Sequence, residues 1–108
     1  MSEIDETLRA IVEPRRREIL QLVLDDELTA GAIASHFDVT RPAISQHLGV
    51  LEKCGLVRVR RQGTRRYYRA EPEGLAELRE FLRGFWNTSL QQLKMAAEEE
   101  QKRADTQS

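Results

Sequence analysis

Apolar residues recur along this chain with two different periods, and the change of period divides it. In the first half the spacing is helical. Residues 5–12, DETLRAIV, set Leu8, Ile11 and Val12 on one side, with Asp5 as the expected cap. Glu13-Pro14 breaks that run, and a second helix extends from there to about Asp25, with Ile19, Leu20, Val23 and Leu24 as its core face. Thr29 is placed to cap a third helix, TAGAIASHF, that buries Ala30, Ile33, Ala34 and Phe37. Asp38-Val39 turns into the stretch 40–55, TRPAISQHLGVLEKCG. There Thr40 caps the helix, Pro42 lies in the first turn where a missing N–H is tolerated, and Gly55 supplies the left-handed stop. Ile44, Leu48 and Leu51 form one narrow inward stripe.

After Gly55 the period falls to two. LVRVRR sets Val57 and Val59 against Arg58 and Arg60, Gln62-Gly63-Thr64 reads as a hairpin tip, and RRYYRA returns. Pro72 then opens a long last helix whose first turn is flanked by Glu71, Glu73 and Glu77. Along it Leu75, Leu78, Leu82 and Phe85 make one stripe, and Trp86, Leu90 and Leu93 make an adjoining one. That is more apolar surface than one peripheral helix needs, which points to an intersubunit interface; the alternative is packing on the domain's own helices. Residues 98–108 lack a core pattern and are expected to fray, leaving 1–97 as the domain. The expected fold is mainly α with a two-stranded β wing, a winged helix-turn-helix in the order α-α-α-α-β-β-α.

Composition sharpens this picture. A chain of 108 residues is one domain's worth, and its longest apolar runs fall far short of the roughly 18 residues a membrane span needs. The start, MSEIDETLRA, has no basic or apolar region of a secretory signal. The single cysteine, Cys54, has no internal disulfide partner and suits a reducing compartment. Net charge is −1, but residues 41–70 hold eight basic side chains (Arg41, Lys53, Arg58, Arg60, Arg61, Arg65, Arg66, Arg69) against Glu52 alone. This basic block between acidic flanks is the electrostatic footprint of a nucleic-acid binder.

The 40–54 helix gives that footprint a geometry. At about 100° per residue, Ser45, Gln46, Gly49 and Lys53 face away from the inward stripe. A hydroxyl, an amide, a glycine and a cation on one face suit the DNA major groove, where Ser and Gln meet base edges. Five arginines, at 60, 61, 65, 66 and 69, with no acid among them place phosphate contacts on the hairpin. An amphipathic surface helix and a solvated edge strand are the bland alternatives. No nucleophile–base pair, phosphate-cradling glycine loop or paired carboxylate appears; Ser45 and His47 stand two apart on a helix and point apart, so catalysis is not expected.

The order PRRREIL, LTAGAIASHFDVTRPAISQHLGVLEKCGLV and RRQGTRRYY resembles the arsenic-resistance repressor (ArsR/SmtB-type) family of winged helix-turn-helix regulators over about residues 8–90. Cys54 stands where a small residue is usual. The resemblance implies cytoplasmic, nucleoid-associated homodimers that bind double-stranded operator DNA at an inverted repeat and repress transcription. By position it implies DNA contacts from Thr40, Arg41, Ser45, Gln46 and His47 on the helix and from Arg61, Gly63, Arg65 and Arg66 on the wing, and Lys53, on the outer face of the same helix, is a further candidate contact. It also implies a dimer built by the first and last helices, here Leu8, Ile11, Leu82, Phe85, Trp86 and Leu90. Many relatives sense metals through a Cys-x-Cys pair after the Glu-Leu opening the third helix. Here Glu27-Leu28 is followed by Thr29-Ala30-Gly31, and no His follows His47, so neither a metal nor another cofactor is expected. Cys54, His47 and His36 do not make a recognisable site. His47 lies close enough to the inward stripe to be either a packed histidine or a base reader, and an effector ligand or protein is left open. Two rival functions remain: a winged-helix protein-interaction module, which typically lacks a basic wing, and a sequence-blind architectural DNA binder, which has no need of Ser45 and Gln46.

Overall fold

In the computed structural model, which describes residues 3–107, the elements are α1 (Glu3–Val12), α2 (Pro14–Asp25), β1 (Leu28–Thr29), α3 (Ala30–Ala34), α4 (Arg41–Lys53), β2 (Val57–Gln62), β3 (Arg65–Ala70) and α5 (Pro72–Gln107). Winged helix-turn-helix is therefore the observed architecture, with one element added. Leu28 and Thr29 pair antiparallel with Tyr68 and Tyr67, so the expected two-stranded ribbon is a three-stranded sheet in the order β1-β3-β2. A two-residue strand has no period to read, and Thr29 serves both as its end and as the cap of α3, accepting from the Ala32 N–H at 3.1 Å. α3 is shorter than the expected TAGAIASHF; isolated turns at His36 and Phe37 complete it.

The chain divides into two units, one up to Leu78 and one from Arg79 onward. Within the first, Ile19, Val23, Ile33, Ile44, Leu48, Leu51 and Leu56 are fully buried. Two helices depart from their expected faces. α1 begins at Glu3 rather than at Asp5 and buries the small residues Thr7 and Ala10, with Leu8 and Ile11 partly covered and Val12 72% exposed. The Thr7 hydroxyl satisfies itself by donating to the Glu3 carbonyl at 3.1 Å. In α2 the seam centres on Ile19 and Val23, which leaves Leu24 on the outer surface and brings Leu22 against the core instead.

The triple arginine Arg15-Arg16-Arg17 stitches the N-terminal helices together. Arg17 donates to the Ile11 and Val12 carbonyls at 2.6 and 2.9 Å, and Arg16 to the Ala10 carbonyl at 3.3 Å, satisfying the open end of α1. Arg15 lies 4.7 Å over the Phe37 ring.

α4 ends in a closed Schellman turn. Gly55, at φ +79°, gives its N–H to the Glu52 carbonyl at 3.0 Å, and Leu56 gives its own to Leu51 at 2.9 Å, with both leucines fully buried. The first turn of α5 rests on this turn. Glu71 donates to the Leu56 carbonyl at 2.8 Å, and a side chain at Gly74 would overlap the Gly55 carbonyl oxygen. Nothing in the sequence marked Gly74, because the partner it must clear is nineteen positions away in the chain.

The second unit is the remainder of α5. It continues as helix through the 98–107 segment expected to fray, a stretch rich in the helix formers Ala, Glu, Gln, Lys and Arg. Phe85, Trp86, Leu90, Leu93 and Met95 are exposed along it, and Phe81 stacks on Phe85 at 6.5 Å.

Gly74→Ala should destabilise the protein by about 1–3 kcal/mol, because the new methyl group must displace backbone rather than a flexible side chain. A thermal or urea melt of the variant measures it, and an unchanged midpoint would contradict the close approach.

Candidate nucleic-acid interface

α4 presents its polar residues in two directions because its apolar stripe fixes its rotation. Ile44, Leu48 and Leu51 are each fully buried, which leaves Ser45, Gln46, Gly49 and Lys53 on the solvent side. The Thr40 hydroxyl accepts from the Ala43 N–H at 3.3 Å, so this residue caps the helix while remaining exposed.

One flank of α4 faces the wing. A cleft of about 580 Å³ is lined by Arg41 and Ser45 from α4, Arg65 and Arg66 from β3, and Gly31 and Tyr68. The other flank faces α2, where a groove of about 420 Å³ is lined by Gln46, His47, Gly49, Val50, Lys53 and Arg16. The residues expected on the recognition helix are thus divided between two sides of one helix, with Gln46 and Lys53 on the outward face.

The wing separates its arginines by strand register. Arg58 lies opposite Arg69, and Arg60 opposite Tyr67, on the outer face; Val57 and Val59 face Ala70 and Tyr68 on the core side, and Arg61 faces Arg66 beyond them. The outer arginines at 58 and 60 are already engaged. Arg60 pairs with Glu27 at 2.9 Å, donates to Gln62 at 2.9 Å and sits 4.7 Å over Tyr67, and Arg58 lies 4.0 Å from Glu71. Arg60 therefore does not belong with the phosphate-seeking set that the sequence suggested; its acid lies 33 positions away. Among the described residues, Arg41, Arg61, Arg65, Arg66, Arg69 and Lys53 have no ion-pair partner. Two like charges directly opposite, as Arg61 and Arg66 are, repel each other until an anion lies between or beside them. Gly63 carries φ +62° in the two-residue turn that joins the strands, and that turn lifts the unpaired arginines away from the core.

His47 is half-buried. Its Nδ1 accepts a hydrogen bond from Arg16 Nε at 3.2 Å. Burial first, then the Arg16 charge, holds its pKa below the usual 6.5, with Arg15 adding to the effect and Glu13 opposing it. Arg16 is the site residue that sequence reading missed, since nothing local to α4 signals a guanidinium 31 positions earlier. Cys54 is a half-buried thiol at the end of α4, 3.6 Å from the Leu51 carbonyl, and burial pushes its pKa up. Among the described residues no three His, Cys, Asp or Glu side chains gather into a metal-binding group.

The chain matches the family described as "Bacterial regulatory protein, arsR family" over residues 13–59, which takes in α2, the helix-turn-helix and the start of the wing. It is 42% identical over 86 residues to the HTH-type transcriptional regulator Rv2034 of Mycobacterium tuberculosis, covering 80% of each chain. The chain belongs to the ArsR family. It is also 38% identical over 65 residues to the transcriptional repressor SdpR of Bacillus subtilis, covering 60% of this chain and 72% of that one. In three dimensions it resembles the homodimeric winged helix-turn-helix DNA-binding domain of Mb0332 from Mycobacterium bovis, with a TM-score of 0.65, 32% identity and 79% of each chain covered. ArsR-family proteins are DNA-binding transcriptional regulators rather than enzymes. Among the described residues no helix is long and apolar enough to cross a membrane.

The lowered His47 pKa ties the stability of this ArsR-family domain to pH. The unfolded chain, with its histidine near 6.5, takes up the proton more readily than the folded one. The stabilisation is therefore complete above pH 6.5 and is lost as pH falls through the lower folded value. Melting midpoints followed from about pH 7.5 down to about 5.5 should decline in the wild type, and His47→Leu should flatten that decline.

Proposed function

We propose that this ArsR-family protein is a homodimeric transcriptional repressor that binds an inverted-repeat DNA operator, with α4 in the major groove and the wing on the flanking backbone. The observation that carries the reading is the cleft in which Arg41 and Ser45 of α4 meet the unpaired Arg65 and Arg66 of the wing. Unpaired cations beside a helix whose outer face is polar match the division of labour on duplex DNA, phosphates positioning and base edges specifying. In this reading Gln46 makes paired hydrogen bonds to an adenine edge, with Ser45 and Arg41 beside it. Arg61, Arg65 and Arg66 hold phosphates next to the groove, Gly63 lets the wing tip approach the backbone closely, and Lys53 and Thr40 contact the strand at the two ends of α4. An operator overlapping a promoter makes occupancy and repression the same event. A relative described as a repressor supports this direction of control. The protein-interaction alternative leaves five unpaired wing and helix arginines without a purpose.

For the dimer, the exposed Leu82, Phe85, Trp86 and Leu90 form the surface we assign to the interface, with Leu8 and Ile11 of α1 contributing. Leaving such a face in water costs roughly 25 cal/mol per Å². The homodimeric M. bovis domain supports the same assembly. Two-fold symmetry then places the half-sites about one helical turn apart. The positions at which the resemblance places the thiol pair of metal-sensing relatives hold Thr29, committed to capping α3, and Gly31. Control of this regulator is accordingly proposed to run through a signal other than a metal at that site.

Sedimentation at micromolar concentration should show twice the 12.5 kDa chain mass, and a folded monomer would refute the assembly. Genomic fragments retained by the purified protein should share an inverted repeat. On that operator, Arg65→Ala and Arg66→Ala should weaken specific and scrambled duplexes alike and lower the salt slope by about one unit each. Gln46→Ala should instead lose about 1–3 kcal/mol of discrimination at unchanged slope. Equal loss on both duplexes would remove Gln46 as a base reader. Gly49→Ala separates folding from binding. A Cβ there meets nothing, so the variant should gain about 1 kcal/mol of helix stability while binding the operator less tightly.

A further inference from the structure

The groove on the α2 flank of α4 holds a hydrogen bond that chemistry can read further than distance alone. A guanidinium carries only N–H donors. The ring atom of His47 that meets Arg16 Nε at 3.2 Å must therefore be a nitrogen with a free lone pair, and in the neutral ring the proton then resides on the other nitrogen, Nε2. Among the described residues Nε2 has no hydrogen-bond partner, yet no polar side-chain atom here is both buried and unpartnered. Nε2 is thus accessible to solvent, in a groove whose other walls are Gln46, Gly49, Val50 and Lys53.

We propose that Arg16, on α2 and outside the helix-turn-helix, is a positioning residue for DNA recognition: it locks His47 as a neutral, Nε2-protonated donor that reaches a hydrogen-bond acceptor on the duplex. The proposal rests on the DNA-binding reading above and extends it to the second flank of α4. Arg16 is itself anchored, because its Nη1 donates to the Ala10 carbonyl at 3.3 Å, so the end of α1, the start of α2 and the reading helix share one guanidinium. An unlocked imidazole would present Nε2 as a donor for part of the time and as an acceptor for the rest. An acceptor on the duplex, whether a phosphate oxygen, a purine N7, a guanine O6 or a thymine O4, rejects the second form. The charged groups acting on His47 (Arg16 and Arg15 from α2, and Glu13 at its N-cap) add up to favour the neutral ring, and Lys53 lines the same groove, so the donor is presented without a proton being taken up.

The test has one arm that needs no DNA. The chain has two histidines, so a nitrogen-15 histidine-labelled sample gives two ring patterns, and the long-range proton–nitrogen spectrum distinguishes the tautomers. His47 should appear as Nε2–H with an unprotonated Nδ1 in the wild type, as an averaged mixture in Arg16→Met, and as Nε2–H again in Arg16→Lys. A mixture or an Nδ1–H form in the wild type would overturn the proposal. In the second arm, Arg16→Met and His47→Leu should each weaken operator binding about tenfold, the scale of one lost hydrogen bond, and the double variant no more than His47→Leu alone. An Arg16→Met effect that persists in the His47→Leu background would show a purely structural role, through the Ala10 carbonyl, and overturn the proposal. His47→Gln, which retains a donor near the Nε2 position, should keep most of the affinity, and binding as weak as that of His47→Leu would count against it even if Arg16→Met fails to fold. Operators with single methylphosphonate or 7-deazapurine substitutions, or with guanine or thymine analogues lacking the O6 or O4 oxygen, identify the acceptor. One such substitution should cost the wild type affinity but not His47→Leu, and no such position of any kind would overturn the contact. Failure of the wild type to bind any duplex would sink the proposed function as well, whereas normal binding with an unlocked tautomer sinks this inference alone.

Discussion

The burial of three side chains, Ile44, Leu48 and Leu51, sets nearly everything else in the domain. Each is fully enclosed, and their spacing on α4 leaves the helix one rotation about its axis. Rotation is the quantity that matters here, because it decides which residues reach solvent. Turning α4 by one residue toward Ser45 would bury that hydroxyl together with the Glu52 carboxylate and expose an isoleucine. The Thr40 cap at one end and the Schellman turn at Gly55 at the other fix where the helix begins and stops. The Gly74–Gly55 approach then docks the start of α5 on that stop.

Around this fixed helix the charges fall into two classes. Arg15, Arg16, Arg17, Arg58 and Arg60 are used within the fold, on carbonyls, on aromatic rings, on His47 and on acids from other segments. Arg41, Arg61, Arg65 and Arg66 have no such use and stand at the mouth of the cleft between helix and wing or beside its rim. Surface pairs like Arg60–Glu27 contribute little stability individually. Their consequence is selective neutralisation, which removes some of the positive charge from the outer face of the wing and leaves the tip unbalanced.

Gly49 shows the same separation of folding from function. A glycine within a helix costs roughly 1 kcal/mol relative to alanine, and here no neighbour requires the missing side chain. The clearance it provides faces outward. A residue that weakens the free protein at a position where packing asks nothing of it is the local conflict expected at a binding surface.

The linear chain was enough to reveal the helices, the wing and the inward stripe of α4, because periods of 3.6 and 2 are local properties written into neighbouring residues. The ArsR resemblance, carried by the TRPAISQHL and LEKCGLV runs, was legible for the same reason. What the sequence could not reveal was any feature made by residues far apart along it. Strand β1 exists only because Leu28 and Thr29 find Tyr68 and Tyr67. The faces of α1 and α2 shifted to Thr7, Ala10 and Leu22 because the core chose small and flanking residues that periodicity alone would not select. Arg60 was indistinguishable from Arg61 until Glu27 came beside it, and the tether on His47 appeared only when Arg16 arrived from α2. Local patterning determines which elements form and which way they face; which cations stay free, and which histidine nitrogen is left to act, depends on partners that only the tertiary structure brings within hydrogen-bond reach.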